Sequence, residues 1–145
     1  MIVSGKFLKV KNGKTFYCEV TLKITSDEVF SVSIDTPNAN YADGEIDLEE
    51  PAILSAVLEG INLTLSTLKE DHKSSRINVS IQKIRGTVAD TTLGSIFCAT
   101  VQAMARALMI PLNCVEYYYE DEDFRARVGF QNSSEPNSGS KPEQD

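Results

Sequence analysis

The chain has 145 residues, of which 41% are hydrophobic, and it carries a formal net charge of −7 at pH 7. This length allows one domain with a two-layer core, and no run approaches the roughly 18 apolar residues of a membrane-spanning helix. The acidity counts against a general nucleic-acid binder, which usually carries a basic face. The N-terminus lacks the zones of a signal peptide, so we expect a cytoplasmic protein without a membrane partner.

Three strands are predicted before the first helix. Residues 2–10 alternate like a strand, and Asn12-Gly13 is the dipeptide that most strongly favours a tight hairpin turn. Residues 15–25 place apolar side chains at alternate positions, which is typical of a half-buried antiparallel strand. A third strand is predicted from Glu28 to Asp35.

A loop over residues 36–48 is predicted to precede the first helix. Glu49-Glu50-Pro51 opens this helix because acidic residues suit its N-terminal dipole and proline is tolerated in the first turn. We expect it to run to about Glu70. Its predicted apolar stripe consists of Leu54, Val57, Leu58, Ile61, Leu65 and Leu68.

The second half of the chain is predicted to contain a strand, a helix and a last strand. The strand runs from Arg76 to Ile84, and the loop from Arg85 to Asp90 leads to a helix that either Asp90 or Thr91 caps. This helix ends near Met109 because Pro111 follows. The last strand is predicted from Asn113 to Tyr119. Residues 129–145 are polar and rich in Pro and Gly, so they are predicted to form a disordered tail.

The predicted fold is therefore α+β, with two layers in the order β-β-β-α-β-α-β. Three strands precede the first helix, so we expect a mixed sheet with both helices on one face. Residues 1–128 are predicted to form this single domain.

The element order and one loop together resemble domain IV of elongation factor G. The similarity covers roughly residues 16–118 and centres on Thr87-Val88-Ala89-Asp90-Thr91-Thr92-Leu93, followed by an Ala-rich helix. In that family the loop reads His-x-Val-Asp-Ser-Ser-Glu and lies near the tip that enters the ribosomal decoding site. Here Thr87 stands at the histidine and Leu93 at the last acidic residue. The resemblance implies this fold, and it implies a binding surface at the loop: Lys83, Arg85, Thr87, Asp90 and Thr91.

The start of the second helix is a second candidate site. Exposed N–H groups and the helix dipole favour a phosphate at such a position, here from Thr91 to Ser95 with Gly94 between them. The alternative is that these residues only cap the helix.

Two further segments are candidate interfaces. Between Thr91 and Asn113 only Arg106 is charged. The predicted outward face (Ser95, Ala99, Gln102 and Arg106, flanked by Cys98 and Ala103) either packs on the first helix or receives a second subunit or another protein. Tyr117, Tyr118 and Tyr119 lie in an acidic run that either protects a sheet edge or contacts a partner.

No pattern in the sequence indicates a catalytic or metal centre. His72 is the only histidine and lies in a polar linker, and the three cysteines form no CxxC motif. The acidic runs do not match the spacing of a calcium loop. We therefore predict no catalytic residue, no cofactor and no metal.

The sequence favours a non-enzymatic module that acts through protein contacts or on the translation apparatus. Ribosome or RNA binding is disfavoured by the net acidity. The alternatives are a small phosphate-ligand-binding domain or enzyme that uses the Thr91–Ser95 helix start, and a homo-dimer or larger homo-oligomer joined through the Ala-rich helix.

Overall fold

Two α-helices and six strands make up the described part of the chain. The structure, a computed structural model, describes residues 1–26, 31–34 as backbone only, 46, 48–67 and 77–129. In order, the elements are β1 (Ile2–Lys11), β2 (Lys14–Ser26), β3 (Ser31–Ile34), α1 (Glu50–Leu65), β4 (Ile77–Arg85), α2 (Leu93–Ala107), β5 (Val115–Glu120) and β6 (Asp123–Val128). The α+β class and the predicted β-β-β-α-β-α-β order are confirmed, and a further strand follows.

The main sheet is mixed, as predicted. Its strand order is β1-β2-β4-β3, with β3 parallel to β4 and the other neighbours antiparallel. The β1–β2 turn has positive φ at both Asn12 (54°) and Gly13 (78°). An Asn-Gly pair tolerates this geometry best, which explains why the dipeptide predicted the hairpin correctly.

One face of the sheet is buried under the helices. Alternate residues of β2 and β4 supply it: Phe16, Cys18, Val20, Leu22, Val79, Ile81 and Ile84. The pairing shifts between Thr21 and Leu22, where Gln82 is an extra residue in β4. This bulge places Ile84, rather than Lys83, on the buried face. Lys83 and Arg85 consequently lie on the opposite face, which we call the outer face.

The buried stripe of α1 differs from the predicted one. Its buried residues are Ile53, Ala56, Val57, Gly60, Ile61 and Thr64. Leu58, predicted inside, is 37% exposed. A Cβ built on Gly60 would lie 2.9 Å from the side chain of Thr100, so the close approach of α1 to α2 selects this face. The helix ends at Leu65, and the predicted end near Glu70 falls outside the described residues.

The second helix is buried on nearly every side, which corrects the predicted outward face. Ser95, Cys98, Ala99 and Ala103 are all fully buried. A Cβ on Gly5 of β1 would lie 2.6 Å from the backbone N of Ala103 and would overlap the Ala99 carbonyl. α1 and β6 also contact α2. A helix with almost no charged residue on any face is typically a buried helix. α2 therefore offers no broad face for a second subunit.

The last predicted strand does not join the main sheet. β5 pairs with β6 in a separate two-stranded sheet, and Asp121 (φ 55°) and Glu122 (φ 65°) form the turn. This β5–β6 hairpin covers the buried face at the turn end of β1–β2. There five aromatic rings meet edge to face at centroid distances of 5.0 to 5.9 Å: Phe7, Phe16, Tyr117, Tyr119 and Phe124.

Several predictions fall on residues that the structure does not describe. They concern His72, most of the loop over residues 36–48, and the tail after Gly129. No helix among the described residues has the length and apolar character needed to cross a membrane.

Candidate functional site

The loop between β4 and α2 is the exposed part of the predicted site. Thr87, Val88 and Ala89 are exposed at its tip, and the apolar Val88 is 57% exposed. Asp90 is half-buried, and Thr91 is only 6% exposed. The tip residues are therefore open to a partner, whereas Thr91 is not.

Hydrogen bonds fasten this loop to β2. The Thr91 hydroxyl accepts from the Thr87 N–H at 2.9 Å and donates to the Tyr17 carbonyl at 2.7 Å. The Tyr17 N–H donates to the Asp90 carbonyl at 3.0 Å. Within the loop, the Asp90 N–H donates to the Thr87 hydroxyl at 3.0 Å. β4 ends at Arg85, and the loop then continues alongside β2 in place of the strand.

The N-cap of α2 is Thr92, so neither of the two predicted caps, Asp90 and Thr91, is the N-cap residue. The Thr92 hydroxyl accepts from the Ser95 N–H at 3.0 Å, and the Ser95 hydroxyl accepts from the Thr92 N–H at 2.8 Å. This reciprocal pair satisfies two backbone donors of the first turn. Ser95 is fully buried, so it faces no ligand.

The anion position at the start of α2 holds a carboxylate of the chain itself. Asp123 accepts from the Gly94 N–H at 3.0 Å and from the Thr92 hydroxyl at 2.7 Å. A negative charge at this position is favoured by the helix dipole. A phosphate would therefore have to displace Asp123, which weighs against the Thr91–Ser95 ligand site.

The outer face of the main sheet is basic. Pairing aligns Lys6 and Arg85 on either side of Glu19, and it aligns Lys83 with Thr21. The cations of this face are Lys6, Lys23, Lys83 and Arg85. Glu19, which lies 4.0 Å from Arg85, is the one acidic residue among its described side chains. The face is thus positive although the chain is negative.

Exposed aliphatic side chains lie among these cations. Leu8 is 55% exposed and Val10 is 66% exposed, both on the outer face of β1. Leu8 is paired with Tyr17, whose backbone holds the β4–α2 loop. We call the surface formed by Lys6, Leu8, Val10, Lys23, Lys83, Arg85 and the loop tip 87–89 the basic face. The β1 residues of the basic face were not predicted from the sequence, although apolar residues at both odd and even positions of β1 were the available signal.

Three lysines extend positive charge around the β1–β2 turn. The Lys9 and Lys11 ammonium groups lie 5.8 and 5.5 Å from the ring centroids of Tyr117 and Tyr119, and Lys14 lies 5.0 Å from that of Phe16. These two tyrosines therefore pack inward beneath lysines. Tyr118 lies on the other face of β5, with Arg127 4.3 Å from its ring.

The two candidate interface residues of α2 have different surroundings. The Gln102 side-chain carbonyl accepts from the Lys6 N–H at 2.7 Å, and its amide donates to the Tyr117 hydroxyl at 3.3 Å. Gln102 thereby satisfies the backbone N–H of Lys6 at the edge of β1, so its role is structural. Arg106 is exposed in the last turn of α2.

Two of the three cysteine thiols are poorly placed to act as nucleophiles. Cys18 and Cys98 are fully buried, and burial raises the pKa of both thiols far above the ordinary value. Burial also raises the pKa of Tyr117, against a smaller lowering by its hydrogen bond to Gln102. In residues 1–26, 46, 48–67 and 77–129, His, Cys, Asp and Glu form no group of three or more able to hold a metal ion.

Comparisons with known proteins identify a fold and no family. No family model and no curated protein matches this sequence. The crystal structure of a Thermus thermophilus protein, ttk003000868, is similar, with a TM-score of 0.58 and 14% sequence identity. The match covers 72% of this chain and 15% of that chain, so this chain spans a small part of that protein's length. At this identity the likeness concerns the fold alone.

Proposed function

We propose that this protein is a non-enzymatic binding module that acts on the translation apparatus through the basic face. The observation that carries the proposal is the collection of four cations on the outer face of a sheet in an acidic chain. Ribosomal RNA presents a dense array of phosphates, and Lys and Arg side chains supply most sequence-independent affinity for such a surface.

The net acidity of the chain does not oppose this proposal at the basic face. The acidic residues of α1 and of the β5–β6 hairpin belong to the layer on the buried side of the sheet. Packed layers are separated by about 10 Å, and charges are screened over about 8 Å at physiological salt. A phosphate close to Lys6 or Lys83 would therefore experience mainly the nearby cations.

The resemblance to domain IV of elongation factor G supports the loop as part of this surface. In that family the corresponding loop lies near the tip that enters the decoding site. Here the exposed Thr87 and Val88 occupy the same place between strand and helix. Leu8 and Val10 add apolar contact area beside the lysines, which fits a partner that contains protein as well as RNA. Such a partner agrees with the cytoplasmic location predicted from the sequence.

Co-sedimentation with purified ribosomes tests the proposal. The wild type should sediment with ribosomes at low salt, and affinity should fall steeply as salt rises. A Lys6→Gln/Lys83→Gln variant removes two phosphate contacts, so the slope of log affinity against log salt should decrease by roughly 1.5 to 2. Arg127→Gln is the matched control, because Arg127 is an exposed cation on β6 that pairs with Glu116 at 3.5 Å.

Two outcomes would contradict the proposal. The first is a wild type that does not sediment with ribosomes even at low salt. The second is an Arg127→Gln variant that loses as much affinity as the double variant, because the basic face would then not be the cause of binding.

A further inference from the structure

A groove runs between α1 and the β5–β6 hairpin, on the side of the molecule opposite the basic face. Two adjoining cavities of about 450 and 410 Å³ form it, and Glu59, Phe97 and Arg125 line both. α2 forms the floor, whereas α1 and β6 form the walls. Small side chains of α1 (Ala52, Ser55 and Ala56) line the larger cavity.

The walls of the groove are acidic. Glu59 stands on the α1 wall, and Glu120, Asp121 and Asp123 stand on the hairpin wall. Asp123 is engaged at the start of α2, but Glu59, Glu120 and Asp121 are exposed. Among the residues that the structure describes, Arg125 is the one cation that lines either cavity. The groove therefore presents excess negative charge from both sides.

The floor of the groove contains an aromatic ring that an arginine of the chain contacts. Phe97 is 8% exposed, and its ring lies 5.8 Å from the Arg125 guanidinium. Aromatic faces attract guanidinium groups, and arginine combines stacking with hydrogen bonds to carboxylates. Arg125 already lies over the Phe97 ring, and both cavities extend beyond it, one toward Glu120 and Asp121 and the other toward Asn62 and Tyr118.

We propose that this groove binds an arginine-containing basic peptide segment of a partner protein. Charge selects this occupant, because the carboxylates face each other across an apolar floor. The chain's own residues 130–145 contain one lysine against two glutamates and one aspartate, so they have the wrong sign to fill it. The inference does not depend on ribosome binding, because the groove shares no residue with the basic face.

The test is a fluorescence anisotropy titration of the full chain with a fluorescein-labelled peptide of alternating arginine and alanine. The same peptide with glutamate for arginine should not bind. A Glu59→Gln/Glu120→Gln variant should weaken arginine-peptide binding by about five- to tenfold, since each exposed charge pair contributes modestly. Glu116→Gln is the matched control, because Glu116 is an exposed acid of the same strand as Glu120 that lines neither cavity.

NMR of the complex with the arginine peptide locates its binding site. We expect the largest shifts at Gly94, Arg125 and Ala126, with little change at Lys6 and Lys83. Equal weakening by Glu116→Gln, or shifts concentrated on the outer sheet face, would overturn the proposal. Light scattering would also overturn the proposal if the wild type associated with itself and the Glu59→Gln/Glu120→Gln variant did not. The occupant of the groove would then be the basic β1–β2 turn of a second copy of the chain.

Discussion

The Asp123 carboxylate accepts a hydrogen bond from the Gly94 N–H at 3.0 Å, although 29 residues separate the two along the chain. This contact joins the tip of the β5–β6 hairpin to the first turn of α2. The same carboxylate accepts from the Thr92 hydroxyl and from the Phe124 N–H. One side chain therefore binds the first turn of α2 and positions the hairpin that contributes to the aromatic cluster.

Replacing Asp123 should destabilise the fold and expose an anion site. Asp123→Ala removes the charge and the acceptor at the helix start, so the free energy of unfolding should fall by about 1 to 2 kcal/mol in urea denaturation. Asp123→Asn keeps an acceptor and should lose less. Added phosphate should raise the melting temperature of Asp123→Ala more than that of the wild type. An equal rise in both would contradict this prediction, because phosphate would then act only as a generally stabilising salt.

Gly5 allows α2 to lie directly on β1. A Cβ at this position would meet the Ala99 carbonyl and the Ala103 backbone N, and neither backbone group can turn aside. Gly5→Ala should therefore reduce the free energy of unfolding by about 2 to 3 kcal/mol, measured by urea denaturation. Gly13→Ala is the control, since its Cβ would meet nothing within 4 Å and only its φ of +78° opposes the change. That variant should lose about 1 kcal/mol, and a larger loss than in Gly5→Ala would contradict this explanation.

The sequence predicts the main sheet well because its signals are local. Alternation along β2 and the Asn12-Gly13 turn need no knowledge of the rest of the chain. The strand β6 was missed because Glu120 to Asp123 resembled solvated charge, although Asp121 and Glu122 form its turn. Asp-Phe-Arg-Ala-Arg-Val at 123–128 does alternate, with Phe124 and Ala126 buried, and this was the available signal.

The candidate site was harder to predict because it depends on contacts between distant residues. In the sequence, Thr91 resembles a helix cap or a ligand-binding residue. In the structure its hydroxyl donates a hydrogen bond to the carbonyl of Tyr17, 74 residues away. The sequence around Gly94 resembles an open anion-binding site, but in the structure the Asp123 carboxylate already accepts a hydrogen bond from the Gly94 N–H. The basic face requires strand pairing to bring Lys6 and Lys83 to one surface, and no composition or charge count contains that information.

The buried thiols should make stability fall at alkaline pH. Burial raises the pKa of Cys18 and Cys98 above the ordinary 9.0, so the folded state keeps both protons after the unfolded chain has lost them. This contribution is complete below pH 9 and is lost as pH rises beyond it, at about 1.4 kcal/mol per pH unit for each thiol. Urea denaturation between pH 8 and 10 should show the decline. A Cys18→Ala/Cys98→Ala variant should show a much flatter profile, and the same slope in both proteins would contradict the prediction.

Thr91 should act as an internal support of the loop rather than as a contact residue. Thr91→Val keeps the shape but removes the hydroxyl, so the Thr87 N–H loses its acceptor at 2.9 Å and the Tyr17 carbonyl loses a donor at 2.7 Å. The expected cost is about 1 to 3 kcal/mol of unfolding free energy, with faster amide hydrogen exchange at Thr87. Thr91→Ser retains the hydroxyl and should preserve the protection of that amide. If Thr91→Val instead left both stability and exchange unchanged, the loop would be held by the Tyr17–Asp90 backbone bond alone, and the conformation of its exposed tip would not depend on Thr91.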